Sequence, residues 1–359
     1  MNKISTKHFI LFILGTSIIS CKTYLSIFVD VGGRSTWLAS ILASFIFVCF
    51  LLFIMNTFKK TNNFDIVDIF NKSTPKFISS LFLIIFILAL FLNAIEAAAV
   101  EANVLHSTLF IDTPIWYALA FFIVPSLFIF GKKIRTLLIF LIISFSIIIV
   151  NGILFFLLTQ SYKDINNLLP ILGDKPISNF LYSALMILGS MSSFMIVTPF
   201  LKYIDKTEHI RIHSLYAGVI SSAFIILSFI GVITAFGPLR AANIFYPEFV
   251  LSQRIELAGF LEFGELFFII QTVVGLFIKY ILSTYSILLI CNKFIKRKAV
   301  FIGVYTFLVF VLSNFLGVNN YMLYDISKYI QGVNLIAFIV IPFIVFIIYY
   351  FKFLPKKSK

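Results

Sequence analysis

Ile13-Leu14-Gly15-Thr16-Ser17-Ile18-Ile19-Ser20-Cys21-Lys22 lies in the middle of an apolar run from about Phe9 to Val29. A bilayer is crossed by roughly 20 apolar residues, so the run is long enough to span. Such a span needs a special reason to carry a glycine, three hydroxyl-bearing residues and a lysine. In hydrocarbon every backbone N–H and C=O must find a partner, and a helix is interrupted only where neighbouring helices or a water-filled cavity satisfy the freed groups. A second run of the same kind, Ile187-Leu188-Gly189-Ser190-Met191-Ser192-Ser193-Phe194, follows with its glycine 174 positions after Gly15. Two interrupted spans at matching places in two halves point to an inverted-repeat transporter core with a site near the midplane. The same small residues also serve close helix packing, as they do throughout membrane bundles.

Composition agrees with a membrane chain. Of 359 residues 61% are hydrophobic and 46 are Phe, against an apolar share near ~45–50% in soluble globules. The run Phe9–Val29 is longer than a signal-peptide core, carries no A-x-A-like cleavage site and precedes many further spans, so it reads as the first transmembrane helix. The net charge of +13 does not indicate nucleic acid, because the basic residues are scattered through short loops and form no stripe. Cys21, Cys49 and Cys291 fall within or at the ends of spans, with neither a disulfide pattern nor metal-ligand spacing. No G-x-G-x-x-G, Walker loop or H-E-x-x-H occurs, and no enzyme activity, metal or cofactor is read from the chain.

Ten spans are predicted, near 9–29, 36–58, 77–103, 115–131, 134–159, 179–201, 212–236, 266–291, 299–316 and 332–351. With the N-terminus inside, 20 of the 28 Lys and Arg residues fall in loops on one side and six on the other, with Lys22 and Lys279 inside spans. Cytoplasmic loops retain positive charge, so both termini are expected in the cytoplasm. Ten spans divide as five plus five, with a first repeat over about 8–160 and a second over about 178–352, and an odd number per half inverts their orientation. The long external segment 237–265 contains Pro247–Leu257, read either as an amphipathic interfacial helix or as an ordered loop packed on the bundle.

Buried ionisable groups are costly, at ~2.5–3.5 kcal/mol near the centre of a span, which singles out Lys22, Glu96, Glu101 and Lys279. Asn93, Glu96, Val100 and Glu101 share a helical stripe among Ala94, Ala97, Ala98, Ala99 and Ala102, a face suited to a close-packed interior or a cavity wall. Glu101 lies either there or at the outer headgroups. Lys22 and Glu96 are expected at similar depth in the outer half, so Glu96 is read either as the partner of Lys22 or as a partner for a ligand ammonium. Lys279 is read as a fixed ammonium in place of a bound cation, or as a lysine that snorkels or pairs with a carbonyl. For a small zwitterion such as an amino acid, N–H groups exposed at Gly15, Thr16 and Ser17 and at Gly189, Ser190 and Ser192 would take the carboxylate. Freed carbonyls and Glu96 would take the ammonium.

A family resemblance rests on motifs in order along the chain. These are Gly33-Arg34-Ser35-Thr36-Trp37-Leu38, Asp112-Thr113-Pro114-Ile115-Trp116, Asn167-Leu168-Leu169-Pro170, Phe236-Gly237-Pro238, Tyr246-Pro247-Glu248 and Gly259-Phe260-Leu261-Glu262. In these the chain resembles the permease-type subunit of bacterial spore germinant receptors, the endospore germination permease family. The resemblance implies an all-α core of ten transmembrane helices in a five-plus-five inverted repeat, similar to the amino acid–polyamine–organocation transporters, with helices one and six broken around the ligand. It implies a nutrient sensor in the spore inner membrane that works with a larger membrane subunit and a lipoprotein subunit; the alternative is a proton-coupled amino-acid permease. The chain departs from the family pattern at Lys22, where a proline is usual, at Phe263, where an arginine is usual, and between Tyr182 and Lys202, where an acidic residue is often found and none occurs.

Overall fold

A computed structural model describes residues 5–172, 175–205, 207–256 and 263–353. It is helical throughout. In chain order the helices are α1 (Thr6–Ser17), α2 (Ile19–Lys22), α3 (Ser26–Gly32), α4 (Thr36–Thr61), α5 (Ile66–Ser73), α6 (Lys76–Thr108), α7 (Ile115–Phe130) and α8 (Ile134–Leu158). They continue as α9 (Ile177–Met191), α10 (Ile210–Ala242), α11 (Pro247–Ser252), α12 (Gly264–Ile290), α13 (Lys298–Gly317), α14 (Asn320–Asn334) and α15 (Ile341–Phe353). Local chemistry sets several starts. Pro75, Pro114 and Pro176 stand immediately before α6, α7 and α9 in extended conformation, where the missing N–H costs the helix nothing. The side chain of Asp65 accepts from Val67 N to cap α5, and that of Asn319 accepts from Tyr321 N and Met322 N to cap α14.

Eight helices or merged helices among the described residues are long and apolar enough to cross a membrane. Ten segments were expected. The two that fall short are α7, an apolar helix of 16 residues, and the first segment, which is divided into α1, α2 and α3. The last span starts earlier than predicted. Asn320–Phe353 runs as one stretch of 34 residues, with a π-helical turn at Leu335–Val340 joining α14 to α15. Near the end of α10, Gly237 adopts φ 70° and ψ 164° and Pro238 follows. The positive φ is one that glycine alone takes without a Cβ penalty, and it kinks α10 near its end.

The two interrupted segments meet in the middle of the bundle. α1 packs against the 3-10 stretch Ser192–Tyr203, and α3 packs against α9. The early part of one segment therefore faces the late part of the other, which makes the pair antiparallel. Around it α12 lies against α6 and α8, and α10 lies against α4 and α1.

The loops assigned to opposite sides by their charge gather at opposite ends. At one end Lys59 Nζ donates to Glu208 O, Lys60 Nζ to Tyr350 Oη and Lys352 Nζ to Lys72 O. At the other, Lys328 Nζ pairs with Asp30 Oδ2 at 2.8 Å and Asn167 Nδ2 donates to Thr234 O.

Of the two readings of the segment 237–265, the structure agrees with the one in which it packs on the bundle. Among the described residues of Pro247–Leu257 only Pro247–Ser252 is helical, and Pro247, Glu248, Phe249, Leu251 and Ser252 are buried. α11 is thus packed on the bundle, against α12 and α10, and is not a helix lying in the interface. Leu257 and the Gly259-Phe260-Leu261-Glu262 motif lie outside the described residues.

Candidate functional site

The first interruption is built by hydroxyl side chains. Thr16 Oγ1 donates to Phe12 O at 3.1 Å, Ser17 Oγ to Ile13 O at 2.7 Å, Ser20 Oγ to Thr16 O at 2.7 Å and Thr23 Oγ1 to Ile19 O at 3.4 Å. Back-bonding of Ser and Thr to the carbonyl four residues earlier loosens and bends helices, and here four such bonds follow one another. The backbone responds by tightening: Cys21 N bonds Ile18 O and Phe28 N bonds Leu25 O, each three residues back. Ile18, Thr23 and Leu25 keep right-handed helical angles. The segment is divided without being unwound, and the breaks fall at Ile18 and at Thr23–Leu25.

The second interruption follows the same chemistry. α9 gives way at Ser192 to a 3-10 stretch of 12 residues, far longer than the usual three or four. Ser192 Oγ donates to Gly189 O at 2.5 Å and Thr198 Oγ1 to Met195 O at 2.7 Å, while Pro199 removes a donor. The two interruptions are stapled together where Ser190 Oγ donates to Ser20 O at 2.5 Å. Ser17 Oγ also shares a 2.9 Å hydrogen bond with Ser221 Oγ of α10.

Both glycines are sites of close approach. A Cβ on Gly15 would stand 2.7 Å from Phe145 Cζ and 2.9 Å from Ile278 Cγ2, and one on Gly189 would collide with the Gln331 carbonyl oxygen. In this conformation Gly15, Thr16, Ser17, Gly189, Ser190 and Ser192 hold protein to protein, and their hydroxyls are occupied by protein carbonyls.

Next to the staple lies a buried polar cluster. Glu96 and Lys279 are each 1% exposed, with Lys279 Nζ 2.6 Å from Glu96 Oε2. Glu96 Oε1 accepts from Tyr24 Oη at 2.6 Å and from Gln331 Nε2 at 3.1 Å. A buried carboxylate is tolerated only when it is paired and its lone pairs are met. Three donors from three other elements do this for Glu96. The carboxylate on α6 is thereby tied to the turn after α2, to α12 and to α14.

A neighbouring rung repeats the arrangement, since Asn93 Nδ2 donates to Asn334 Oδ1 at 2.7 Å. Residues three apart share a helix face, so Asn93 and Glu96 meet Asn334 and Gln331 in antiparallel register.

The Lys22–Glu96 pair is not formed. Lys22 Nζ donates to Gln271 Oε1 at 2.7 Å and stands 3.7 Å from Glu248 Oε2. The reason is rotational. At 3.6 residues per turn, positions two apart point about 200° from each other, so Tyr24 faces Glu96 while Lys22 faces α12 and α11. Lys279, read as a fixed ammonium in place of a bound cation or as a lysine that snorkels or pairs with a carbonyl, neither snorkels nor relies on a carbonyl: it is buried and pairs with Glu96. Glu101 is 3% exposed, so it belongs to the interior and not to the headgroups, and its Oε2 has no hydrogen-bond partner among the described residues. Tyr24, Gln331 and Gln271 were not singled out from the sequence, and Glu248 entered only as the last residue of the Tyr246-Pro247-Glu248 motif. Gln271 and Gln331 were visible as amides in or beside apolar spans, but nothing in a tyrosine at the end of an apolar run distinguishes Tyr24 from the chain's 14 other tyrosines.

Fold and site together define a multi-pass α-helical membrane protein whose centre is a pair of antiparallel interrupted segments held beside a buried ion pair. The family model for spore germination proteins, of the spore permease type, matches residues 3–322. The chain belongs to that family. No match was found among curated proteins.

Proposed function

We propose that this protein is the ligand-binding, permease-like subunit of a spore germinant receptor, which senses a small nutrient such as an amino acid and triggers germination. The observation that carries the reading is the antiparallel meeting of the two interrupted segments at Ser20 and Ser190. In a two-repeat transporter core a ligand binds where such segments meet. On this reading the chain has ten crossings in a five-plus-five inverted repeat, with α1–α3 as the first and α9 with its 3-10 extension as the sixth. Both termini are cytoplasmic, the membrane is the spore inner membrane, and the partners are a larger membrane subunit and a lipoprotein subunit.

The ligand site comprises Gly15, Thr16, Ser17, Gly189, Ser190 and Ser192, with Glu96 beside it. Ligand entry separates the two segments, exchanging the Ser190–Ser20 hydrogen bond for bonds to the ligand, and the Glu96–Lys279 pair reports the separation to α6 and α12. A sensor and a permease share this core, because a fold does not by itself specify transport. The deciding measurement is uptake of radiolabelled amino acids by proteoliposomes containing the purified chain, alongside thermal stabilisation of the same protein by the same amino acids. Stabilisation without accumulation is the expected result. Accumulation driven by a proton gradient would replace the sensor with the permease.

A further inference from the structure

A cavity of about 250 Å3 lies to one side of the interrupted segments, bounded by α8, α10, α11 and the loop after α8. Its polar lining contains two basic side chains, Lys22 and Lys163, and one acidic one, Glu248, so their formal charges leave one positive charge in excess. Most of the wall is apolar, with Phe155, Phe224 and Val232 among its residues.

The two ammonium groups are poised for an anion. Gln271 Oε1 takes one proton of Lys22 at 2.7 Å, and Glu248 Oε2 at 3.7 Å is past hydrogen-bond length. An ammonium has three donors, so Lys22 retains donor capacity toward the cavity. Lys163 Nζ lies over the Phe156 ring at 4.7 Å. Such a contact holds a cation weakly at an exposed site, at ~0.5–1 kcal/mol, and leaves its protons available.

We infer that this cavity is a binding site for a compact carboxylate carrying an apolar body, with the carboxylate between Lys22 and Lys163 and the body against Phe155 and Phe224. Size limits the occupant. A 150 Å3 apolar cavity holds a benzene, which scales to about ten non-hydrogen atoms here. Charge limits it further, because an ammonium-bearing ligand would compete with Lys22 for Glu248, whereas a monoanion leaves the site neutral. The same chemistry is offered by a short branched carboxylate dissolved in water and by the head of a membrane fatty acid whose tail runs out between α8 and α10. Ile153 and Leu227, which line the cavity, are also exposed on the outer surface of the bundle at 51% and 44%. This site is distinct from the one proposed at the Ser20–Ser190 staple and does not depend on it.

The test uses the full chain in nanodiscs of zwitterionic lipid, with radiolabelled 4-methylpentanoate as the probe and binding of the protein alone as the readout. Saturable binding is expected, with no competition from the neutral amide 4-methylpentanamide. Lys163→Gln should weaken it at least tenfold. Gly231→Leu should abolish it by filling the cavity; a Cβ at Gly231 would meet nothing nearer than Lys163 at 3.7 Å, so the longer side chain has the cavity to enter, and the size-exclusion profile of the variant checks that it is folded. Displacement of the probe by oleate at lower concentration than by unlabelled 4-methylpentanoate would assign the carboxylate to a membrane lipid, and the reverse order would assign it to a dissolved one. Absence of saturable binding, competition by the amide as effective as by the acid, or undiminished binding by a folded Gly231→Leu protein would each overturn the inference. Because germination is not the readout, none of these results bears on the sensing function.

Discussion

Removing one member of the Glu96–Lys279 pair should damage the protein far more than removing both. The side chains are each 1% exposed and 2.6 Å apart, so Glu96→Gln leaves an ammonium and Lys279→Met a carboxylate without its counter-charge. Stranding one member of a buried pair costs ~3–5 kcal/mol, whereas replacing the pair by well-packed neutral groups is often close to neutral. Lys279→Met should fall at the lower end, because the carboxylate keeps the donors of Tyr24 and Gln331. The double variant should be destabilised by about 1–2 kcal/mol, which leaves a coupling of roughly 4 kcal/mol or more against the additive sum. Reversible unfolding in mixed micelles titrated with a denaturing detergent, followed by tryptophan fluorescence, gives the four free energies. Coupling below ~0.5 kcal/mol, the level at which independent sites add, would refute the argument. The Lys22→Met and Glu96→Gln changes share no partner, and their combination should be additive.

Tyr24→Phe deletes the 2.6 Å donor to Glu96; a hydrogen bond to a charged group contributes ~1.5–3 kcal/mol, so the same titration should show a loss of that size. Gly189→Ala should sharply reduce the yield of monodisperse protein, because its Cβ would collide with backbone on α14, whereas Gly231→Ala at the open wall should match wild type. A normal yield for Gly189→Ala would show that α14 can move away at small cost. Cysteines replacing Lys60 and Lys175 should react with a membrane-impermeant maleimide from opposite sides, since the loops that hold them gather at opposite ends of the bundle. Labelling of both from one side would remove the basis for the ten crossings.

Much of the architecture was legible from residues because the bilayer enforces simple rules. Apolar length marks the spans, the Lys and Arg distribution sorts the loops into two sets, and a glycine among hydroxyl residues within an apolar run marks each interruption. The structure places α1–α3 and the end of α9 where these rules put them, and it places Glu96 in the interior, as its alanine-flanked stripe required.

What the charges pair with was decided only by tertiary structure. Lys22 and Glu96 are at compatible depths in the sequence reading, yet they point to different partners. Depth tolerates an error of several residues, whereas each residue turns a helix face by about 100°. Spans that are apolar all round carry no stripe to report that rotation. Lys279 meets Glu96 because α12 packs on α6, and Gln331 reaches it because α14 also packs on α6. Both facts arise from packing between segments roughly 180 to 235 positions apart in the chain, and hydropathy along one segment holds no record of its neighbours.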